Sequence, residues 1–290
     1  MINIIKHIVK QKIIFALGKL FGRTLSDLAL IYFKEKSIPK LQTEEFEILR
    51  QLTMLLSIKV GFAVDIAASD GVTQSCTLQL YKNGWPGLAV EMNSEKFSQL
   101  SFLYKQFNNV QLSKCKITPR NVVSLLEAHA VPKDFEILNL DIDSYDLEVV
   151  LAILKSEYKP KIITMEYNEK IPPSIYFSVN FEEEHFWNGD HFYGCSISAA
   201  NLEVTKYGYV LYKIHANNAF FILNEKSKLV SKNVHIEYQE GYMKLPNRVV
   251  DFHYNLSLDY WQDLPAETAI KEIKSLFKNY EGKYICYAIE

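Results

Sequence analysis

The residues best placed for chemistry are carboxylates at the ends of apolar runs. Val64-Asp65-Ile66 leads into the small-residue turn Ala67-Ala68-Ser69-Asp70-Gly71, and Leu88-Ala89-Val90 ends in Glu91, twenty-six residues after Asp65. A turn of small residues lets a ligand approach the backbone closely, where large side chains would block it. A carboxylate at the position of Glu91 can accept two hydrogen bonds from the hydroxyls of a ribose, and Met92 is counted with it as a cofactor contact.

A second acidic group follows. In Leu140-Asp141-Ile142-Asp143 and Glu166-Tyr167-Asn168 the polar residues alternate, so Asp141 and Asp143 share one side of their strand, as do Glu166 and Asn168 of theirs. In open α/β sheets the ligand crevice lies outside the carboxyl ends of the strands, which would bring these four together. Crowded carboxylates repel unless a proton or a cation intervenes, and hard oxygen ligands suit Mg²⁺ or Mn²⁺. A cation there would lower the pKa of a hydroxyl acceptor. Two alternatives stand beside this: Asp143 and Asp146 as caps of the following helix, or Asp141-Ile142-Asp143 as the D-x-D of a glycosyltransferase. Candidate general bases are Asp143, His191 and His215, with His185 a weaker competitor.

The elements that would position these groups alternate. Strand patterns at 61–67, 87–92, 110–117, 135–143 and 161–168 interleave with helix patterns at 74–84, 94–107, 118–130 and 144–158, preceded by a helix at 43–58. Strict alternation implies a parallel sheet covered on both faces. Residues 170–192 hold two prolines, many aromatics and an acidic run, and read as an irregular insertion over the active site. A helix at 194–208 and strands at 208–215 and 218–223 follow. The two strands are joined by Ala216-Asn217 alone, so they must pair antiparallel.

An antiparallel hairpin closing an otherwise parallel sheet resembles the class I S-adenosylmethionine (SAM) dependent methyltransferases, with a Rossmann-like doubly wound sheet. Val64–Gly71 is similar to the first motif of the FkbM family of O-methyltransferases: Asp65, Ala68 and Gly71 match, whereas Ala67 stands where glycine is usual and Ser69 where asparagine is usual. The segment Ile137–Asp146 resembles the family's fourth-strand motif, and Thr118 falls where its adenine-contacting loop lies. The resemblance implies SAM as cofactor, held by Asp65, Ala67, Ala68, Ser69, Gly71, Glu91, Met92, Thr118 and Asp141, and methyl transfer to a hydroxyl of a sugar, nucleotide sugar or glycan precursor. No G-x-G-x-x-G turn of the kind a dinucleotide pyrophosphate requires is present, and Asp65, Asp70 and Glu91 suit a sulfonium better than a phosphate. A non-catalytic cofactor-binding interaction module is the remaining alternative.

The formal net charge of −2 hides an asymmetry: residues 1–40 carry seven Lys and one Arg against Asp27 and Glu35, about +6, which leaves about −8 for the rest. The acidic body argues against nucleic acid as a partner. The basic start has apolar residues near helical spacing and lacks an apolar run long enough to span a bilayer. It is expected to pack on the domain or on a second copy of the chain, or to lie on an anionic membrane surface. Cys76, Cys115, Cys195 and Cys286 form no C-x-x-C pair, which suggests neither zinc nor a disulfide scaffold and a cytoplasmic setting, at most peripheral to the inner membrane face. The expected organisation is an N-terminal helical region 1–58, a methyltransferase domain 59–224 with insertion 170–192, and a C-terminal extension 225–290.

Overall fold

A computed structural model describes residues 40–73, 75–224 and 229–289. The amphipathic stretch expected at the N-terminus lies outside the described residues. After α1 (Lys40–Leu55) come β1 (Ala63–Ile66), α2 (Leu78–Lys82), β2 (Gly87–Glu91), α3 (Ser94–Tyr104), β3 (Val110–Lys114), α4 (Val122–Ala128), β4 (Ile137–Leu140), α5 (Asp146–Lys155) and β5 (Ile162–Glu166). Then follow β6 (Ile175–Val179), α6 (Ile197–Val204), β7 (Tyr209–His215) and β8 (Asn218–Leu223). The tail holds α7 (Val234–Tyr238), α8 (Arg248–Asp251), α9 (Ala266–Leu276) and β9 (Tyr284–Ala288).

The main sheet runs β3-β2-β1-β4-β5-β8-β7. The pairs β2·β3, β1·β4 and β4·β5 are parallel, and β8 is antiparallel to both β5 and β7. Every residue of β1, β2 and β5 is buried, as expected of strands covered on both faces. This is the Rossmann-like sheet with a terminal antiparallel hairpin that the residue pattern predicts. Ala216, at φ +53, and Asn217 make the link that forces the reversal.

By compactness the chain forms two units. One runs up to Lys59 and includes Ala68–Cys115; the other comprises Val60–Ala67 and the chain from Lys116 onward. In the first, Asn93 caps α3, its side-chain oxygen accepting the Glu95 and Lys96 N–H groups, and Leu100, Leu103 and Tyr104 pack inward. In the second, Ser196 caps α6 through the Ala199 N–H.

The stretch 170–192 is irregular over 180–192, as expected, but not over 175–179. Ile-Tyr-Phe-Ser-Val at 175–179 is a fully buried strand, and its partner is β9 at the far end of the chain, antiparallel from Ile175 opposite Ala288 to Val179 opposite Tyr284. Ile171, Ile175, Phe177, Val179 and Phe192 form one apolar cluster with Trp261, Ile270, Ile273 and Phe277 of the tail. Burying those aromatic and branched side chains, about 1.5–3 kcal/mol each, outweighs the helix- and strand-breaking prolines next to them. Among the described residues no helix is long and apolar enough to cross a membrane, and none of the four cysteines is in a disulfide.

Candidate functional site

The turn after β1 has an unusual backbone. Ala67 (φ +68), Ser69 (φ +53) and Gly71 (φ +74) all occupy the left-handed region, although only the last is glycine. A residue with a β-carbon gives up roughly 1–2 kcal/mol to sit there. Such strain persists only where the surroundings impose it. Ala68 N–H donates to Val90 O (2.9 Å), Gly71 N–H to Ala68 O (2.8 Å) and the Tyr104 hydroxyl to Gly71 O (2.7 Å). A β-carbon on Gly71 would lie 2.5 Å from Leu100 Cδ1, so the turn is also packed tightly from below.

Glu91 is buried and holds this turn. Its Oε2 accepts the Ser69 N–H at 2.9 Å, and its Oε1 accepts the Asn93 N–H at 2.6 Å. A carboxylate offers about four acceptor positions, so these two bonds orient Glu91 and leave lone pairs for further donors. Met92, 47% exposed, follows it. Asp70 closes the turn, its carboxylate accepting from Val72 N–H, Thr73 N–H and the Thr73 hydroxyl. Asp65 is buried in its own unit, where Asn139 Nδ2 donates to it at 2.8 Å. Thr118 is buried in the turn that opens α4, with its N–H on Asn121 Oδ1.

The ends of β4 and β5 bring Asp141, Asp143 and Glu166 together: one ligand oxygen from each lies within 4.8 Å of the others. Burial first, then the charges of Asp141, Asp143, Asp146 and Glu169, push Glu166 well above the usual carboxylate range. Burial also raises Asp143, against the opposing pull of its hydrogen bond with Glu166 and of the Lys170 charge. Asn217 donates to Glu166 Oε1 at 2.7 Å, while the buried Oε2 accepts no hydrogen bond. Asp143 itself is at φ +53.

Neither aspartate caps the helix that follows, whose N-cap position is Tyr145: Asp146 opens the helix and accepts the N–H groups of Ile142 (2.8 Å) and Ser144 (3.0 Å) in the turn before it, while Asp143 belongs to the cluster. Asn168 is divided: its Nδ2 donates to His191 O and Tyr193 O, and its buried Oδ1 has no partner. An orphaned buried acceptor beside an acidic triad fits a hard cation.

The histidines separate. His191 is half-buried, and burial followed by the Lys170 charge lowers its pKa, so the imidazole is neutral at pH 7, the form a base requires. His215 shares a row with Asn218 and Glu166 across β7, β8 and β5, which places it two strand spacings, about 10 Å, from Glu166. His185 packs edge-on against Phe192.

A buried ion pair next to the triad was not foreseen from the residue pattern. Lys170 and Glu169 are paired at 3.2 Å with side chains 1% and 0% exposed. Tyr193 donates its hydroxyl to Glu169 Oε2 and accepts from Lys170 Nζ, both at 2.7 Å. Asn255 and Tyr238 of the tail complete the enclosure by donating to Glu169 Oε1 and Glu169 O. The only local hint was a charged doublet between an apolar strand and two prolines.

The strand order and the antiparallel edge hairpin are those of the Rossmann-like class I methyltransferase fold. No protein-family model matches the sequence, and no curated protein does. Among solved structures, the chain is similar to a SAM-dependent methyltransferase from Aquifex aeolicus (12% identity, 67% of this chain and 98% of that one, TM-score 0.39). It is also similar to magnesium protoporphyrin IX methyltransferase from Synechocystis with bound SAM (9%, 73% and 96%, TM-score 0.40). A third is the N-terminal domain of EvdMO1, crystallised in the presence of SAH and D-fucose (13%, 61% and 80%, TM-score 0.39).

Proposed function

We propose that this chain is a SAM-dependent O-methyltransferase of FkbM-like type that acts on a sugar or glycan hydroxyl, with a divalent cation at Asp141, Asp143 and Glu166. The observation that carries the cofactor reading is the left-handed conformation at Ala67, Ser69 and Gly71, clipped to Glu91. That turn keeps side chains away from the face a methionine moiety would occupy, at a conformational cost a plain connection would not retain. The lone pairs left on Glu91 are suited to a ribose diol.

SAM would supply an electrophilic methyl group, and a cation would lower the pKa of the acceptor hydroxyl. Asp141, Asp143 and Glu166 would provide its oxygen ligands, with Asn168 Oδ1 as a fourth. His191, neutral and half-buried, takes the hydroxyl proton, and Asp143 is the alternative acceptor. The basic segment 1–40 serves association, with a second copy or an anionic membrane surface, rather than chemistry.

The test is release of SAH from SAM in the presence of a panel of glycosides. Chelator should abolish turnover, Mg²⁺ or Mn²⁺ should restore it, and Asp143→Asn should lose it while still binding SAM. Full turnover in excess chelator would reduce the triad to a proton-sharing carboxyl group and leave His191 as the base. Binding without turnover on any acceptor would favour an interaction module, and sugar transfer from a nucleotide sugar would favour the D-x-D reading.

A further inference from the structure

The loop that joins β6 to α6 displays large aromatic rings that nothing in the fold requires to be exposed. Phe186 is 54% and Trp187 44% exposed, whereas Trp85 and Trp261 are 4% and 1% exposed. Trp187 is nonetheless held in place. Its indole N–H donates to Asp190 O at 2.7 Å, and its ring meets Tyr193 edge-on, 6.0 Å between centroids and 76° between planes. An edge contact leaves the broad face of the ring for another partner.

The loop is tied down at both ends of its exposed stretch. Lys116 donates to Glu183 O and lies over the Phe186 ring at 3.9 Å, Lys283 pairs with Glu182 at 2.7 Å, and the Tyr280 hydroxyl bonds Asp190. Tyr193, which Trp187 meets, ties the loop to the chain that follows Glu166: its hydroxyl bonds Glu169 and Lys170, and its carbonyl oxygen accepts Asn168 Nδ2 at 2.9 Å.

The surrounding charge restricts what can bind. Residues 181–192 contain Glu182, Glu183, Glu184 and Asp190 and no Lys or Arg, and the cations that reach the loop are each engaged by it. With four carboxylates in the loop and each of these three cations bound to it, the loop carries no excess positive charge to attract a phosphate, which favours neutral ligands. A pyranose offers an apolar C–H face for an indole, and vicinal hydroxyls for hard oxygen chemistry, without carrying charge.

We infer that Trp187 is the stacking platform for the acceptor, and that the acceptor is an uncharged glycosyl ring rather than a nucleotide sugar or a phosphorylated glycan. This rests on the reading that the triad serves a hydroxyl acceptor. Trp187 is then the specificity-determining residue of the loop, and the tail, through the Tyr280 hydroxyl on Asp190, holds the loop that presents it.

The experiment is acrylamide quenching of tryptophan fluorescence in the full chain, without SAM. Trp187 is the accessible tryptophan, so neutral methyl glycosides are expected to suppress the quenching and shift the emission to the blue. UDP-glucose and sugar phosphates should do neither. By calorimetry Trp187→Leu should lose glycoside binding, Trp187→Tyr should recover it, and both should keep the SAM affinity of the parent protein. Protection by UDP-glucose or sugar phosphates alone, no protection by any neutral glycoside, or undiminished glycoside binding by Trp187→Leu would each overturn the inference. Glycoside protection in a chain that binds no SAM would instead overturn the methyl-transfer reading and leave the platform standing.

Discussion

Two substitutions in one turn should move stability in opposite directions. In Gly71→Ala the new β-carbon meets Leu100 Cδ1 at 2.5 Å and Tyr104 Cε1 at 2.6 Å, in a backbone held at φ +74. The left-handed conformation costs roughly 1–2 kcal/mol and overpacking roughly 1–3 kcal/mol. The stiffer unfolded chain returns about 0.4–1 kcal/mol. The net loss is about 3 kcal/mol. Ala67→Gly relieves the same conformational cost at φ +68 against the same unfolded-state term, a gain of about 1 kcal/mol or less. Urea denaturation of both variants beside the parent measures the difference. A Gly71→Ala variant as stable as the parent, or an Ala67→Gly variant clearly less stable, would refute the strained-turn argument and with it the reason for assigning the turn to a cofactor.

Other consequences are independent of that turn. Lys170→Met leaves Glu169 buried without its cation and should cost about 3–5 kcal/mol, and adding Glu169→Gln should recover part of it; equal thermal stability of parent and single variant would show the pair to be dispensable. Asp146 is raised from 3.8 to about 7, by burial first, so the folded state binds its proton more tightly than the unfolded state. Its contribution to stability is therefore present below about pH 4 and declines as pH rises toward 7, and Asp146→Asn should flatten that decline in a melting profile. Mg²⁺ or Mn²⁺ should raise the melting temperature of the parent more at alkaline than at acidic pH, and should do so little in Glu166→Gln; an equal shift in both proteins would place the cation elsewhere.

The central sheet was legible because its evidence is local. Apolar runs such as Gly87–Glu91 bounded by turns read as buried strands, and the link Ala216-Asn217 is too short for anything but a reversal. The meeting of Asp141, Asp143 and Glu166 was legible for the same reason, since each follows or ends an apolar run that reads as a strand and adjacent parallel strands bring their carboxyl ends together. What escaped was non-local. β6 looked irregular because the residues around it are prolines and acids, and the strand that completes it, β9, begins at Tyr284. Glu169 and Lys170 resembled a solvated turn until Asn255, Tyr238 and Tyr193 closed over them. Neither could the division of labour between Asp143 and Asp146 be read from spacing, because both precede or open the same helix and only the backbone geometry puts Asp146 on the turn before it, with neither residue as its cap.

The most direct test of the account is isothermal titration of the full chain with SAM and with SAH. Binding of either is expected, with Glu91→Gln weakening it by about 1.5–3 kcal/mol, the scale of a hydrogen bond to a charged group. That is a loss of roughly ten- to a hundredfold or slightly more in affinity. Absence of binding by both, or an affinity untouched by Glu91→Gln, would contradict the assignment of this sheet and this turn to SAM.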